Sequence, residues 1–207
     1  MKDFSIKEAL SFGWDAFTSR VGFFIGLFLL LVILAAIPQF AIRQQTGWLA
    51  IFLIIINQLF QLFLLVGMIK ISLTLADADN PKIGDLFSGG PVFVPYVLAT
   101  IAFYLFTLAG FVLLIVPGII LSVMFQFYGY FIVDNNMGPV EALKASAALT
   151  KGIRWKLLGF GLVVLLLNIA GILLLVVGSF VTAPVSWVAV AFVYRKLLPQ
   201  TKFALTA

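Results

Sequence analysis

The stretch FVLLIVPGIILSV, residues 111–123, places a Pro-Gly pair in the middle of a long segment without a charged residue. Such a break is compatible with one kinked helix, the turn of a buried hairpin, or the broken helix of a transport site. The segment belongs to an uncharged run of 48 residues, 86–133. A single helix of that length would be about 72 Å long, more than twice the hydrocarbon thickness of a bilayer, so the chain must turn back. Pro117 removes a backbone donor and biases Val116 away from the helical conformation, while Gly118 permits a turn, so we expect the turn at this pair.

The composition is that of an integral helical membrane protein. Hydrophobic residues make up 63% of the 207-residue chain and charged residues only 10%, and the mean hydropathy is +1.20. Globular domains carry about 25% charged residues. The chain has no cysteine and no histidine, which excludes disulfides, thiol nucleophiles and imidazole ligands. The first twenty residues carry three acids and precede an apolar run too long for a signal peptide, so we expect that run to remain as the first membrane helix.

The gaps between charged residues predict six membrane spans. The uncharged runs contain 22, 26, 48 and 38 residues, so the first two fit one span each and the last two fit a helical hairpin each. In the second hairpin the break is expected between Gly178 and Pro184; because its helices are short, a re-entrant arrangement also stays open. The predicted fold is a single all-α transmembrane domain, residues 1–207, of three hairpins with spans at about 21–42, 48–75, 92–116, 118–134, 156–177 and 180–198.

The distribution of basic residues predicts the orientation. With these spans, twelve of the thirteen lysines and arginines, Lys202 included, fall on the side that holds both termini, and Arg43 alone falls on the other. Cytoplasmic loops are enriched in Lys and Arg. We therefore expect both termini in the cytoplasm and the protein in the cytoplasmic (inner) membrane of the cell.

Two segments are predicted to be amphipathic helices at the membrane interface. In residues 1–20 an apolar face recurs at helical spacing, and residues 138–152 have a similar pattern. That face of the first segment comprises Ile6, Leu10, Trp14, Phe17 and Val21.

A weak internal repeat accompanies these segments. Residues 107–118 align with residues 168–179 at an offset of 61, and the two predicted breaks fall in register. At a second offset, of 133, Glu8 matches Glu141 and Gly26 matches Gly159. We infer three units, each of a surface element and a hairpin. Such repeats are frequent in transporters but also describe how helical bundles grow.

No ionisable residue lies in the middle of a predicted span, which argues against a proton-driven pump. The intramembrane polar residues are few, and such side chains more often hydrogen-bond between helices than line a pathway. A D-x-D pair, Asp77 and Asp79, could bind a divalent cation but more often ends a helix. No phosphate loop, paired-carboxylate site or activated serine is present, so we expect no enzyme, cofactor, bound metal or nucleic-acid partner. The candidate intramembrane polar residues are Asn57, Gln61, Thr107, Gln126 and Asn168.

A basic cluster beside an aromatic residue predicts contact with anionic lipid headgroups. Each such cation near a charged leaflet contributes about 1 kcal/mol. The candidate headgroup residues are Lys144, Lys151, Arg154, Trp155 and Lys156.

The segment from Val116 onward resembles a known set of sequences. It has a VPGI break (116–119), then F-I-V-D (131–134) with Gly138, then A-L-K-A-S (142–146) and T-K-G-I-R-W (150–155). These motifs resemble an uncharacterised prokaryotic multi-pass family that includes the membrane domain of glycerophosphodiester phosphodiesterases and YciC-like proteins. The resemblance is best over residues 105–185. It implies six helices; the catalytic barrel of those fusions is not part of this sequence, so no phosphodiesterase activity is implied.

The sequence therefore favours a non-enzymatic membrane protein that acts as a lipid-interacting scaffold, a regulator or an accessory subunit of a membrane complex. Its partners would be anionic lipids and other membrane proteins or copies of itself. The alternative is a small transporter or flippase for an apolar or lipid-like substrate, with its site near the two helix breaks and the polar residues Asn57, Gln61, Thr107 and Asn168.

Overall fold

The computed structural model describes residues 2–174 and 178–201, and every regular element in these ranges is helical. The predicted end of the fifth span at 177, and Lys202, lie outside the described residues. Two short 3-10 helices, Ile83–Phe87 and Leu198–Gln200, accompany nine α-helices in the described ranges. These are α1 (Ile6–Ser19), α2 (Val21–Arg43), α3 (Gly47–Ala76), α4 (Gly90–Leu113), α5 (Ile115–Phe125), α6 (Tyr128–Asn135), α7 (Pro139–Thr150), α8 (Arg154–Leu173) and α9 (Ser179–Leu197).

Six described stretches are long and apolar enough to cross a membrane, in agreement with the predicted number. The fourth of them combines α5 and α6, and the sixth combines α9 with the last 3-10 helix. They are Val21–Phe40, Gly47–Ala76, Gly90–Leu113, Ile115–Asn135, Arg154–Leu173 and Ser179–Gln200.

Local capping accounts for several helix boundaries. The Ser5 hydroxyl accepts a hydrogen bond from the Glu8 N–H at 3.3 Å and begins α1. The Glu141 carboxylate accepts one from the Gly138 N–H at 3.3 Å at the start of α7. At the end of α3, Ala78 adopts a left-handed conformation (φ 61°). The Asp79 N–H then reaches back to the Thr74 carbonyl at 3.0 Å, so D-x-D forms a helix-ending turn.

The turn of the first long run lies at Leu114, and the prediction that it lies at Pro117-Gly118 is wrong. Leu114 is extended (φ −165°, ψ 156°), and α5 begins immediately after it, so Val116 is helical. Pro117 is the third residue of α5, where a backbone N–H has no partner inside the helix, and proline therefore costs no hydrogen bond. Gly118 instead allows α4 and α5 to pack closely, because a Cβ there would overlap the ring of Phe111.

The second long run turns near Gly178, as predicted, but Pro184 does not break a helix. Gly178 directly precedes α9, whereas Pro184 is a buried residue inside it. Proline lacks the N–H that would bond the carbonyl four residues earlier, and its ring crowds that carbonyl, yet α9 continues through Pro184 from Ser179 to Leu197. A glycine pair closes each hairpin, Gly110 with Gly118 and Gly171 with Gly178, since a Cβ at Gly110 or Gly171 would stand about 3 Å from backbone atoms of the other glycine. At the repeat offset of 61, Gly110 matches Gly171, whereas Gly118 matches Ser179, the residue after Gly178.

The fourth predicted span, 118–134, is interrupted at residues 126–127, which the sequence did not reveal. The fully buried Ser146 of α7 accepts a hydrogen bond from the Phe127 N–H at 3.1 Å and donates to the Met124 carbonyl at 2.9 Å. Thr150 donates to the same carbonyl at 3.3 Å. Two α7 hydroxyls thus satisfy the backbone groups that the interruption releases.

The two surface helices pack against the bundle. The helix α1 lies on α9 and buries Ala9, Gly13, Ala16 and Phe17. A Cβ at Gly13 would overlap the carbonyl of Val185. Of the predicted apolar face, Phe17 is buried in the bundle, whereas Trp14 is 52% exposed and stays available for the predicted contact with the membrane interface. The helix α7 packs on α4, α5 and α6 through one largely buried face. The buried positions of α1 are mostly small residues because small side chains allow the backbones of α1 and α9 to approach closely.

The helix α9 is central to the bundle. It packs against α1, α3 and α8 and, less extensively, α2, and half of its membrane-length window is buried. The main core, which includes Phe127, Phe131 and Tyr194, lies at the end of the bundle that also holds Phe4. By contrast, the only described side chains that α2 buries are Phe24 and Leu27, and the first half of α3 buries none.

Candidate functional site

The predicted basic cluster occupies one connection of the fold. Lys144 is an exposed residue of α7, Lys151 directly follows that helix, and Arg154, Trp155 and Lys156 form the first turn of α8. Trp155 is 79% exposed. The buried face of α7 holds this connection against α4 and α5, so the cations project from a packed element.

Lys156 belongs to a contact with the amino-terminal segment (residues 2–4). Its ammonium forms an ion pair with Asp3 and lies 5.3 Å from the centre of the Phe4 ring. Gln200 holds the same segment from the other end of the chain: its amide oxygen accepts from the Asp3 N–H at 2.8 Å and its amide nitrogen donates to the Asp3 carbonyl at 3.0 Å. Lys156 is therefore engaged within the protein.

Lys2 joins the same segment to α7. Its ammonium donates to the carbonyls of Ala148 and Leu149 at 2.6 and 3.0 Å, in the last turn of the helix, where the macrodipole favours a cation. Burial, and then the charge of the nearby Lys151, lower the pKa of Lys2. The hydrogen bond from Lys156 lowers the pKa of Asp3. The amino-terminal segment thus adds positive charge beside Lys151 while neutralising Lys156.

Lys144, Lys151 and Arg154 make no ion pair within the described ranges. All eight acidic residues of the chain lie in those ranges. Lys156 is paired and these three cations are not because Asp3 lies beside Lys156 and no acid lies beside the others.

The predicted intramembrane polar residues are not joined to one another by any hydrogen bond described. Asn168 donates to the Ser186 hydroxyl at 2.7 Å and to its own helix at Val164, and so links α8 to α9. Gln126 donates to the Val123 carbonyl at 3.1 Å. Thr107 is buried on α4, and no described residue forms a hydrogen bond with its hydroxyl. Only the bond from Asn168 to Ser186 joins two helices.

Asn57 and Gln61 lie one turn apart on α3. The Asn57 amide oxygen is buried and has no hydrogen-bond partner in the part of the chain that the structure describes. Gln61 lines a cavity of about 270 Å³ between α2, α3 and α9, together with Met68 and Trp187. This cavity is otherwise apolar, so Gln61 is its main polar group.

Sequence reasoning missed an ion-pair network at the ends of three spans. Arg195 of α9 donates to Asp77 at 2.6 Å and to Asp134 at 2.7 Å, and the Tyr194 hydroxyl donates to Asp134 at 3.0 Å. The sequence could have indicated this network, because Asp77, Asp134 and Arg195 each lie at the end of a predicted span and on the same predicted side of the membrane. Asp77 of the D-x-D pair is thus bound by an arginine. No group of three potential metal ligands occurs in residues 2–174 and 178–201.

Comparison with known proteins places most of the chain in a family. The family model described as Domain of unknown function (DUF7847) matches residues 29–207. No curated protein and no solved structure matches the chain.

Proposed function

This chain belongs to the DUF7847 family, a domain of unknown function, and we propose that it is a non-enzymatic scaffold, regulator or accessory subunit that contacts anionic lipid at the cytoplasmic face of the inner membrane. The six membrane-length helices and the excess of basic residues on one predicted side support this placement.

One contrast among the cations carries the proposal. Five of those in the described ranges contact acceptors there: Lys2, Arg20, Lys156, Arg195 and Lys196. Lys144, Lys151 and Arg154 have no acidic partner in the described part of the chain and stand beside the exposed Trp155. Tryptophan favours the headgroup region, and each cation near an anionic leaflet contributes about 1 kcal/mol. Lys7, Arg43, Lys70 and Lys82 also make no ion pair in the described ranges, but they lie on separate elements. The connection from α7 to α8 carries three such cations together, where lipid phosphate would meet them.

The test compares two double variants of equal net charge. Lys144→Glu with Lys151→Glu reverses the cluster, and Lys7→Glu with Lys82→Glu reverses two exposed lysines elsewhere on the same predicted side. Native mass spectrometry after mild extraction counts the anionic lipids retained. We expect the first variant to retain fewer and the second to match the wild type. Equal retention in all three would reject the lipid-contact proposal.

A second candidate function is a small transporter or flippase for an apolar or lipid-like substrate. The cavity beside Gln61, between α2, α3 and α9, favours it, because a polar group in an apolar cavity can orient a ligand. Movement of fluorescent phospholipid across proteoliposomes tests this function. Activity that Gln61→Leu abolishes would favour it over the scaffold.

A further inference from the structure

A groove of about 300 Å³ lies between α5 and α8 beside the basic cluster. Its lining is almost entirely aliphatic, with one charged side chain, Arg154, next to Trp155. The aliphatic lining residues are Val116, Ile119, Ile120, Val123 and Leu158.

Arg154 is incompletely satisfied at this place. Among the described residues, its buried Nε has no hydrogen-bond partner and no carboxylate pairs with its guanidinium. A buried donor without an acceptor is costly, and the cost is greater for a charged group. An anion that pairs with the guanidinium from the groove would offset part of that cost.

The start of α8 adds to the same attraction. Arg154 is the first residue of this 20-residue helix, no side chain caps it, and no acid lies in its first turn. The free N–H groups of a helix start attract anions such as phosphate.

From the groove and the arginine together, we infer that one anionic phospholipid binds here, with its acyl chain along α5 and its phosphate against Arg154. A small water-soluble anion would satisfy the guanidinium but leave the aliphatic lining empty. A neutral apolar ligand would fill the lining and leave Arg154 unpaired. A phospholipid carries both chemistries on one molecule. The inference rests on the proposed lipid contact and assigns it a defined site.

The experiment uses the full-length, delipidated protein in phosphatidylcholine nanodiscs that contain phosphatidylglycerol with a photoreactive diazirine in its acyl chain. After illumination, mass spectrometry of peptides locates the crosslinks. We expect them on residues 116–123 and 158, and we expect unlabelled phosphatidylglycerol, but not added phosphatidylcholine, to compete.

Three variants separate the two halves of the site. Arg154→Gln removes the charge and should weaken phosphatidylglycerol competition about tenfold. Ile120→Trp fills the groove and should reduce crosslinking on α5 while leaving the cation in place. Lys82→Gln removes an exposed lysine far along the chain from the groove and should behave as the wild type. Thermal unfolding of each variant in the same nanodiscs identifies any that fail to fold.

Crosslinks confined to other helices, or equal competition in Arg154→Gln and Lys82→Gln, would overturn the site. The proposed function has its own readout, because reversal of Lys144 and Lys151 would still lower total lipid retention if only the groove assignment were wrong. If that reversal leaves lipid retention unchanged while α5 crosslinking still depends on Arg154, the groove site is supported and lipid contact by Lys144 and Lys151 is rejected.

Discussion

Arg195 of α9 and Asp134 of α6 form an ion pair at 2.7 Å although they are 61 residues apart in the chain. The other amino group of Arg195 reaches Asp77, at the end of α3. One guanidinium thus joins the ends of three predicted spans, and its partner Asp134 is only 15% exposed.

Arg195→Gln should lower the free energy of unfolding by about 2–4 kcal/mol, because it leaves a largely buried carboxylate without its cation. Lys196→Gln is the matched control. It breaks the neighbouring pair with Glu8, whose side chains are 42% and 47% exposed, and should cost under about 1 kcal/mol. Unfolding in detergent measures both. Equal losses would mean that the network does not stabilise the bundle.

Gly67→Ala should be among the most damaging single-methyl changes in the chain. A Cβ at Gly67 would overlap the carbonyl of Leu86, so the 3-10 helix must move away from α3, at a cost of about 3 kcal/mol. At Gly26 the same change meets open space and should be neutral or stabilising, since alanine favours helix. Thermal unfolding of the two variants in one detergent decides; similar melting temperatures would contradict the packing of residues 83–87 on α3.

Ser146→Ala should cost about 1–3 kcal/mol, because it leaves the Phe127 N–H buried without an acceptor. Thr150 still donates to Met124, which limits the loss at that carbonyl. The control is Thr18→Ala, an exposed hydroxyl that bonds only within α1. Denaturant unfolding should separate the two; a neutral Ser146→Ala would show that water replaces the hydroxyl.

The absence of cysteine allows a direct test of orientation. Gln44→Cys, in the loop between α2 and α3, should react with a membrane-impermeant maleimide added outside intact cells. Lys82→Cys, in the loop before α4, should react only after the membrane is opened. The reason is the concentration of Lys and Arg on the side of the second position. The reverse pattern would invert the proposed topology.

The ion pair between Asp3 and Lys156, which holds the amino-terminal segment against α8, should weaken at low pH. The pKa of Asp3 lies below its ordinary value in the folded protein because Lys156 donates to it. Its carboxylate therefore stabilises the folded contact above the unfolded pKa, and the stabilisation is lost as the pH falls through the range below about 4. Hydrogen exchange of residues 2–10, corrected for intrinsic rates, should speed up there. Asp3→Asn should already exchange fast at neutral pH, and a protected Asp3→Asn variant would contradict the mechanism.

The basic part of the candidate site was predictable because its residues are neighbours in the chain. Lys144 to Lys156 lie on one helix end and the next helix start, so local spacing placed them together. Which of them stays free was not predictable. The partner of Lys156 is Asp3, 153 residues away, and only folding brings the two together.

The sequence by itself determined that the chain is helical and that it has six membrane-length segments. Apolar length and the gaps between charges are local properties, and a segment of about 20 apolar residues must form a helix to satisfy its backbone hydrogen bonds within a bilayer. Tertiary structure alone decided that Pro117 and Pro184 lie inside helices, that small residues of α1 face α9, and that Ser146 caps the interruption at residues 126–127. Each of these depends on contacts between segments far apart in the chain. In a uniformly apolar sequence, hydrophobicity does not distinguish a lipid-facing side from a packed one; steric fit and hydrogen-bond satisfaction between helices make that choice.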